Sequence, residues 1–415
     1  MTEPTGETDY RRAHEWAAPM IAAPSGPLKG VRIIDLTRAL AGPFGTMLLA
    51  DLGADVIKVE PPEGDISRYS LPYTESDTER AFGGYFASIN RNKRGVVLNL
   101  TMDGDRETFL RLVDGADAVI ENFRAGVMDR LGLSYEVLAE RNPKLVYGAI
   151  RGFGDPRTGT SPYVDWPAYD VVAQAMGGPV SFTGTEDGQV LKVGPSIGDL
   201  YPGTLVALGV VSAVLHARAT GEGQFLDVGM YDAAIALSEA IVYRYSYRGQ
   251  ISKPLGNSHA QLTPFDIYPT ADGFCAIAAP TPNHWERLCL LMDREDLIDD
   301  DRTRANNDRI QNAAFVKETM VAWTTARTTK EVVDTLAGLV PVGPVNNAAD
   351  IFADPHVRAR EMLVAVEHPG SDRPVVLPNS PIKLTATPSG IYRRPPKLGE
   401  HNAEILAELD QESIT

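Results

Sequence analysis

Two residues three positions apart carry the clearest chemistry in this 415-residue chain. The stretch Val190-Leu191-Lys192-Val193-Gly194-Pro195-Ser196-Ile197-Gly198-Asp199 holds a literal Gly-x-Ser-x-Gly, preceded by a strand pattern and followed by a helix. That context suits a nucleophile elbow, in which a strand-to-helix turn lifts a serine towards an acyl carbon. Pro195 argues against it, because proline removes a backbone donor and pushes Gly194 towards extended geometry. No HGGG-type oxyanion loop accompanies Ser196, and no histidine follows in an evident triad loop. Asp199 is the second candidate. It stands where the chain enters an apolar helix expected over residues 200–219, so its carboxylate either caps that helix or attacks an activated acyl group. Gly198 and Gly203 would let a ligand come close to it. Spacing alone leaves both readings open, and the cap is the simpler.

The elements that must position these groups alternate in type. Residues 31–34, 55–59, 95–100, 117–120 and 145–150 are short apolar runs, and helical patterns at 44–52, 105–114 and 135–142 separate them. Such alternation predicts a parallel α/β sheet buried on both faces, with ligands beyond the carboxyl ends of its strands. The loop after the first strand lacks G-x-G-x-x-G, which argues against NAD or FAD bound in the usual way. Seven scattered histidines and no metal-ligand motif predict no metal site. The predicted organisation is a loosely ordered leader at 1–28, a large α/β domain at 29–225 and a linker helix within 226–251. A smaller α+β domain at 252–345 follows, and then a Pro-rich tail at 346–415 that returns to the large domain.

Composition narrows the partners. The formal net charge is −16, which repels phosphate backbones and anionic lipid, so neither nucleic acid nor membrane is an expected partner. Apolar residues make up 43% of the chain, but no run of about 18 escapes a charge, Gly or Pro. Cys275 and Cys289 show neither CxxC nor ligand spacing and read as buried reduced thiols of a cytoplasmic protein. The N-terminus has no apolar signal region.

Seven motifs in order then bear on Asp199. They are GVRIIDLTRALAGP (30–43), LGADVIKVEPP (52–62), NRNKR (90–94), ENF (121–123), YDVVAQAMGG (169–178), GDLYPG (198–203) and LGEH (398–401). Together they resemble the class III CoA-transferase family, which includes formyl-CoA and carnitine CoA-transferases. The resemblance implies a Rossmann-like parallel α/β large domain plus a smaller α+β domain, in an interlocked homodimer. It implies that Asp199 attacks an acyl-CoA thioester to give an acyl-aspartyl anhydride, then an aspartyl-CoA thioester that an acceptor acid intercepts. Coenzyme A is then part of a substrate, with no resident cofactor, and the partners are an acyl-CoA and a carboxylate. By the same resemblance Arg38, Ala39, Leu40, Leu98, Asn122, Phe123, Arg130 and Tyr169 meet the CoA. Arg91, Lys93 and Arg94 either face its phosphates or form a solvated basic loop.

The departures are informative. Leu40 stands where formyl-CoA transferase has a glutamine, Pro61 where it has a CoA-binding arginine, and Gly256-Asn257-Ser258-His259 where it has a glycine-rich lid. These differences point away from formyl and oxalyl groups; the resemblance to the family implies small dicarboxylic acids, with succinyl-CoA as a common donor. Related racemases carry Gly-His-Asp where this chain has Ala168-Tyr169-Asp170, and a phenol, titrating at about 10 in water, is a poor base near neutrality. Transfer is therefore favoured over racemisation. An acyl-CoA racemase is the first alternative, followed by a Ser196 hydrolase and a CoA-binding protein whose aspartate only caps a helix. Arg151, Arg244 and Arg248 are the arginines weighed for a substrate carboxylate.

Overall fold

The computed structural model describes residues 9–412. Strands β1 (Arg32–Asp35), β2 (Asp55–Glu60), β3 (Arg94–Val97), β4 (Ala118–Glu121), β5 (Val146–Arg151) and β6 (Gln224–Gly229) form one parallel sheet, ordered β3-β2-β1-β4-β5-β6. The predicted α/β sheet is thus present, and its order is the doubly wound one. Helices α1 (Ala41–Asp51), α2 (Gly84–Asn90), α3 (Asp103–Asp114), α4 (Tyr135–Arg141), α5 (Asp170–Met176) and α6 (Ile197–Thr220) belong to the same unit. Side chains alternate along the strands. Ile33, Val56 and Ile120 enter a core with Leu49 of α1 and Val206, Val210 and Val214 of α6. Ile34, Ile57 and Val119 enter the opposite core with Phe109, Leu112 and Leu138. Burial on both faces explains why these strands read as unbroken apolar runs.

Helix α6 is long and apolar enough by composition to span a membrane, yet it lies against the sheet with Val206, Val210 and Val214 buried. It begins at Ile197, three residues before the predicted start, and closes at Gly221, whose φ of 85° is the left-handed cap that glycine tolerates. The linker helix expected within 226–251 is broken at Ser238 into α7 (Met230–Leu237) and α8 (Glu239–Arg248). There the Ser238 N–H is shared between the carbonyls of Ala234 and Ile235, which tightens the turn and redirects the chain.

Of the leader expected at 1–28, residues 1–8 lie outside the described residues. From Ala13 onward it is pinned: Ala18 bridges to Val364, and the Ile21 N–H donates to the Ile391 carbonyl. Backbone pairing to a distant segment is invisible to local composition. The second compact unit comprises Val180–Leu191 and Ile251–Ile351. It therefore includes a short segment that the sequence division had left in the large domain. Its antiparallel sheet, β7 (Phe265–Pro269), β8 (Phe274–Ala278) and β9 (Val342–Pro344), is covered by α9 (Pro282–Leu291), α10 (Ala313–Thr325) and α11 (Thr329–Leu336). Cys275 and Cys289 are buried in its core as free thiols. In the first unit the tail forms the hairpin β10 (Leu363–Val366) and β11 (Val375–Pro378) and ends in α12 (Asn402–Glu412).

Helices α1 and α6 touch through backbone. A Cβ on Gly203 would lie 2.3 Å from the Ala41 carbonyl oxygen, and one on Gly45 would lie 2.4 Å from the Gly203 carbonyl oxygen. The contact sets the start of α6 beside the loop leading into α1. Helix propensity alone would make Gly203→Ala stabilising by about 1 kcal/mol. Because the new methyl meets main chain that cannot rotate away, we expect a net loss of about 2–3 kcal/mol instead, read from urea denaturation midpoints.

Candidate active site

The sheet order reverses between β1 and β4, so the loops after these strands diverge and leave a crevice. The first loop, Thr37-Arg38-Ala39-Leu40, is held from beneath by buried charges. Asp35, at the end of β1, accepts hydrogen bonds from the Thr37 N–H (2.9 Å), the Thr37 hydroxyl (2.5 Å), the Thr46 hydroxyl (2.8 Å) and Lys93 Nζ (2.9 Å). Lys58 Nζ donates to the Thr37 carbonyl at 2.8 Å and to Asp65 at 3.0 Å. Asp65 in turn accepts the Ala39 N–H at 3.3 Å, where the backbone has a φ of 63° that alanine adopts only under constraint. Burial pushes the Asp35 acid up, but Lys93, Lys58 and the Thr37 hydroxyl outweigh it and hold it at about 2. Burial pulls Lys93 down to about 8 against the opposing charge of Asp35.

The second loop follows β4 and locks onto the first. Asn122 Oδ1 accepts the Arg38 N–H at 2.8 Å, and Asn122 Nδ2 donates to the Arg38 carbonyl at 2.8 Å. The Arg38 guanidinium lies over the Phe123 ring, 5.3 Å from its centre. Behind them, Arg151 makes a fork to Glu121 at 2.5 and 2.7 Å and donates to the Phe123 carbonyl at 2.7 Å.

Asp199 faces these loops from the first turn of α6. The role of cap is filled by another residue: Asp170 Oδ1 accepts the Gly198 N–H at 2.9 Å. Gln174 Nε2 donates to both Asp170 oxygens, and its Oε1 accepts the Val193 N–H at 2.9 Å, which fixes the approach to α6. Asp199 is left without a cap bond, and its acid is pushed up to about 7, first by burial and then by the charge of Asp170. Tyr85 of α2 feels that carboxylate too. Burial, then Asp199, then Asp65 push its phenol up to about 12, so it stays a hydrogen-bond donor.

A cavity of about 390 Å³ joins these parts. Of the expected residues, Arg38, Ala39, Leu40, Asn122, Phe123, Tyr169 and Asp199 line it together. Leu98 lines a neighbouring cavity of about 260 Å³ that shares Arg38 and Phe123, and Pro61 is on its wall. Arg130 is exposed on the helical turn Val127–Arg130 beside that second cavity and does not line it. Ser196 lies outside the Asp199 cavity, which has no histidine on its wall.

The basic run is the clear correction. Arg91 pairs with Asp51, Lys93 with Asp35, and Arg94 with Asp55, Glu404 and Glu408, all three cations being at least 95% buried. They brace the fold from inside rather than meeting a ligand, because each found a carboxylate distant in sequence. Arg151 is likewise engaged by Glu121 and Asp155. The sequence reading missed Tyr85 and Arg124, both on the wall of the Asp199 cavity. Arg124 had a signal, since it directly follows Glu121-Asn122-Phe123 at a strand's carboxyl end; Tyr85 had none beyond lying five residues before the 90–94 motif.

The profile of CoA-transferase family III matches residues 28–402. Succinyl-CoA:mesaconate CoA-transferase of Haloarcula marismortui is 48% identical over 390 residues, covering 94% of this chain and 98% of that protein. Succinate–glutarate CoA-transferase of Agrobacterium fabrum is 38% identical over 390 residues, covering 92% and 96%. The crystal structure of a CAIB/BAIF family protein from Brucella suis has a TM-score of 0.83 at 35% identity, covering 93% of this chain and 100% of that one.

The raised acid of Asp199 makes a stability prediction. An unfolded aspartate titrates at about 4, so between pH 4 and 7 the folded chain binds more protons than the unfolded one, and stability falls as pH rises. Asp199→Asn removes that penalty. With solvent screening allowed for, we expect the variant to be more stable by on the order of 1–2 kcal/mol at pH 8 and no more stable at pH 4. Urea titrations at the two pH values measure the difference.

Proposed function

This chain belongs to CoA-transferase family III and is a CoA-transferase, and on that premise we propose that it moves CoA from succinyl-CoA to a small dicarboxylic acid such as mesaconate. Asp199 is the nucleophile. One of its carboxylate oxygens attacks the thioester carbonyl, the C–S bond breaks, and an acyl-aspartyl anhydride and CoA thiolate result. The thiolate attacks the aspartyl carbonyl, releasing the donor acid and leaving an aspartyl-CoA thioester. The acceptor carboxylate then attacks that thioester, and the thiolate released closes on the acceptor acyl carbon and regenerates Asp199. Each step exchanges a carboxylate for a thiolate at an acyl carbon, so no net proton moves and water need only be kept out.

The observation that carries this reading is the free, half-buried Asp199 carboxylate opposite Asp170, with Asp170 filling the cap. Repulsion from Asp170 raises the energy of the Asp199 anion, and acylation removes that charge, so the pair favours the covalent adduct over the resting carboxylate. The Tyr85 hydroxyl is a donor beside the carboxylate for oxygen charge as it develops. In this reading the pantetheine arm runs from Asp199 past Arg38, Asn122 and Phe123 to Leu98, with the exposed Arg130 near the phosphates. Tyr169, 74% exposed, forms the rim. The enzyme is further proposed to be a cytoplasmic homodimer of interlocked chains.

Incubation with succinyl-CoA, quenching with hydroxylamine and peptide mass analysis is the test. Modification is expected at Asp199 and nowhere else, and Asp199→Ala should abolish it and lower kcat by about 1000-fold or more. Deuterium wash-in at the acyl α-carbon without any adduct would overturn transfer in favour of racemisation.

A further inference from the structure

A dicarboxylic donor and a dicarboxylic acceptor each present one carboxyl carbon to Asp199, so each leaves its second carboxylate in the same cavity. That anion meets the Asp199 carboxylate there, and without a cationic partner its desolvation would oppose binding. Three arginines line the cavity: Arg38, Arg124 and Arg151. Arg151 is buried, and its guanidinium is taken by Glu121, Asp155 and the Phe123 carbonyl. Arg38 lies over Phe123 and also lines the neighbouring cavity with Leu98, which places it on the CoA side.

Arg124 is different on both counts. It lines the Asp199 cavity and not the neighbouring one, and among the described residues no carboxylate pairs with it. In a chain of net charge −16, whose deeply buried basic side chains next to β1 and β4 are paired, Arg124 is an exposed guanidinium on the wall of the Asp199 cavity, free to meet an incoming anion. The backbone that presents it is also fixed. The Phe123 N–H donates to Glu121 at 2.7 Å, the Phe123 carbonyl accepts from Arg151 at 2.7 Å, and Asn122 is clamped to Arg38. A planar fork on a rigid base suits a carboxylate, which it can grip with two parallel hydrogen bonds.

We propose that Arg124 is the specificity-determining residue that holds the distal carboxylate of dicarboxylic acyl groups in both half-reactions. This rests on the transferase reading above. It is a contact to substrate rather than to the reacting carbon, so it governs KM more than kcat.

Steady-state kinetics of Arg124→Gln with succinyl-CoA and mesaconate, beside calorimetric binding of free CoA, test the assignment. KM for both substrates is expected to rise between about 10- and 100-fold, the worth of charge-assisted hydrogen bonds, while the Kd for CoA moves less than about threefold. The unchanged CoA affinity also reports that the variant is folded. Arg124→Lys, which keeps the charge and loses the fork, should fall between the two. Unchanged KM values, or a loss of CoA affinity that matches the loss for the acids, would overturn the proposal while leaving transfer intact. Absence of an Asp199 adduct in the unmodified protein would instead overturn the transferase reading itself, and that is seen before any substitution is made.

Discussion

Two lysines with no access to water, Lys58 and Lys93, hold the crevice open in one shape. Each meets a buried aspartate, Asp65 or Asp35, and each also donates to a main-chain carbonyl, Lys58 to Thr37 in the loop between β1 and α1 and Lys93 to Pro43 in the first turn of α1. Such pairs add little net stability over a well-packed apolar core, but removing one partner strands a charge at about 3–5 kcal/mol. What the arrangement secures is conformation. The peptide at Ala39, with its positive φ, is stable only because Asp65 accepts its N–H and Asn122 clasps Arg38 next to it. Without these, the loop would relax, and the wall of the Asp199 cavity would go with it.

The same low-dielectric interior gives two aspartates opposite fates. Asp35 has two ammonium groups and two hydroxyls around it, and its acid stays at about 2 despite complete burial. Asp199 has no cation opposite it and a second aspartate nearby, and its acid rises to about 7. The contrast separates a charge-paired carboxylate from an uncompensated one better than burial does, since Asp35 is the more buried of the two. It also explains the division of labour at the start of α6. The helix N-terminus needs an acceptor, and by supplying it from α5, Asp170 leaves the Asp199 oxygens uncommitted while adding the repulsion that raises their energy.

Close backbone contact does the remaining work of placement. Gly45 and Gly203 allow α1 and α6 to meet main chain to main chain, so the loop before one helix and Asp199 on the other share a cavity. Side chains on either glycine would separate them by about the width of a methyl group and so move Asp199 away from the loop that carries Arg38.

Much of this was legible in the chain itself. Apolar runs of four to six residues separated by helical periods specify a two-sided parallel sheet, because only strands buried on both faces lack polar alternation. The order of short motifs specified the family and pointed to Asp199 and the loops at 38–40 and 122–123, which line one cavity. Pairing across long sequence separations was not legible. Arg91, Lys93 and Arg94 look like a ligand-facing basic patch until Asp51, Asp35 and Asp55, at least 39 residues away, are found against them. Asp199 and Asp170 exchange the expected roles of cap and neighbour for the same reason, and Arg124 stands out only once every other arginine of the crevice has been given a partner or a place. Local sequence determines which element forms and which face it buries, since those follow from neighbours in the chain. Whether a charge is neutralised, exposed or left reactive depends on what the fold brings opposite it, and that is decided only in three dimensions.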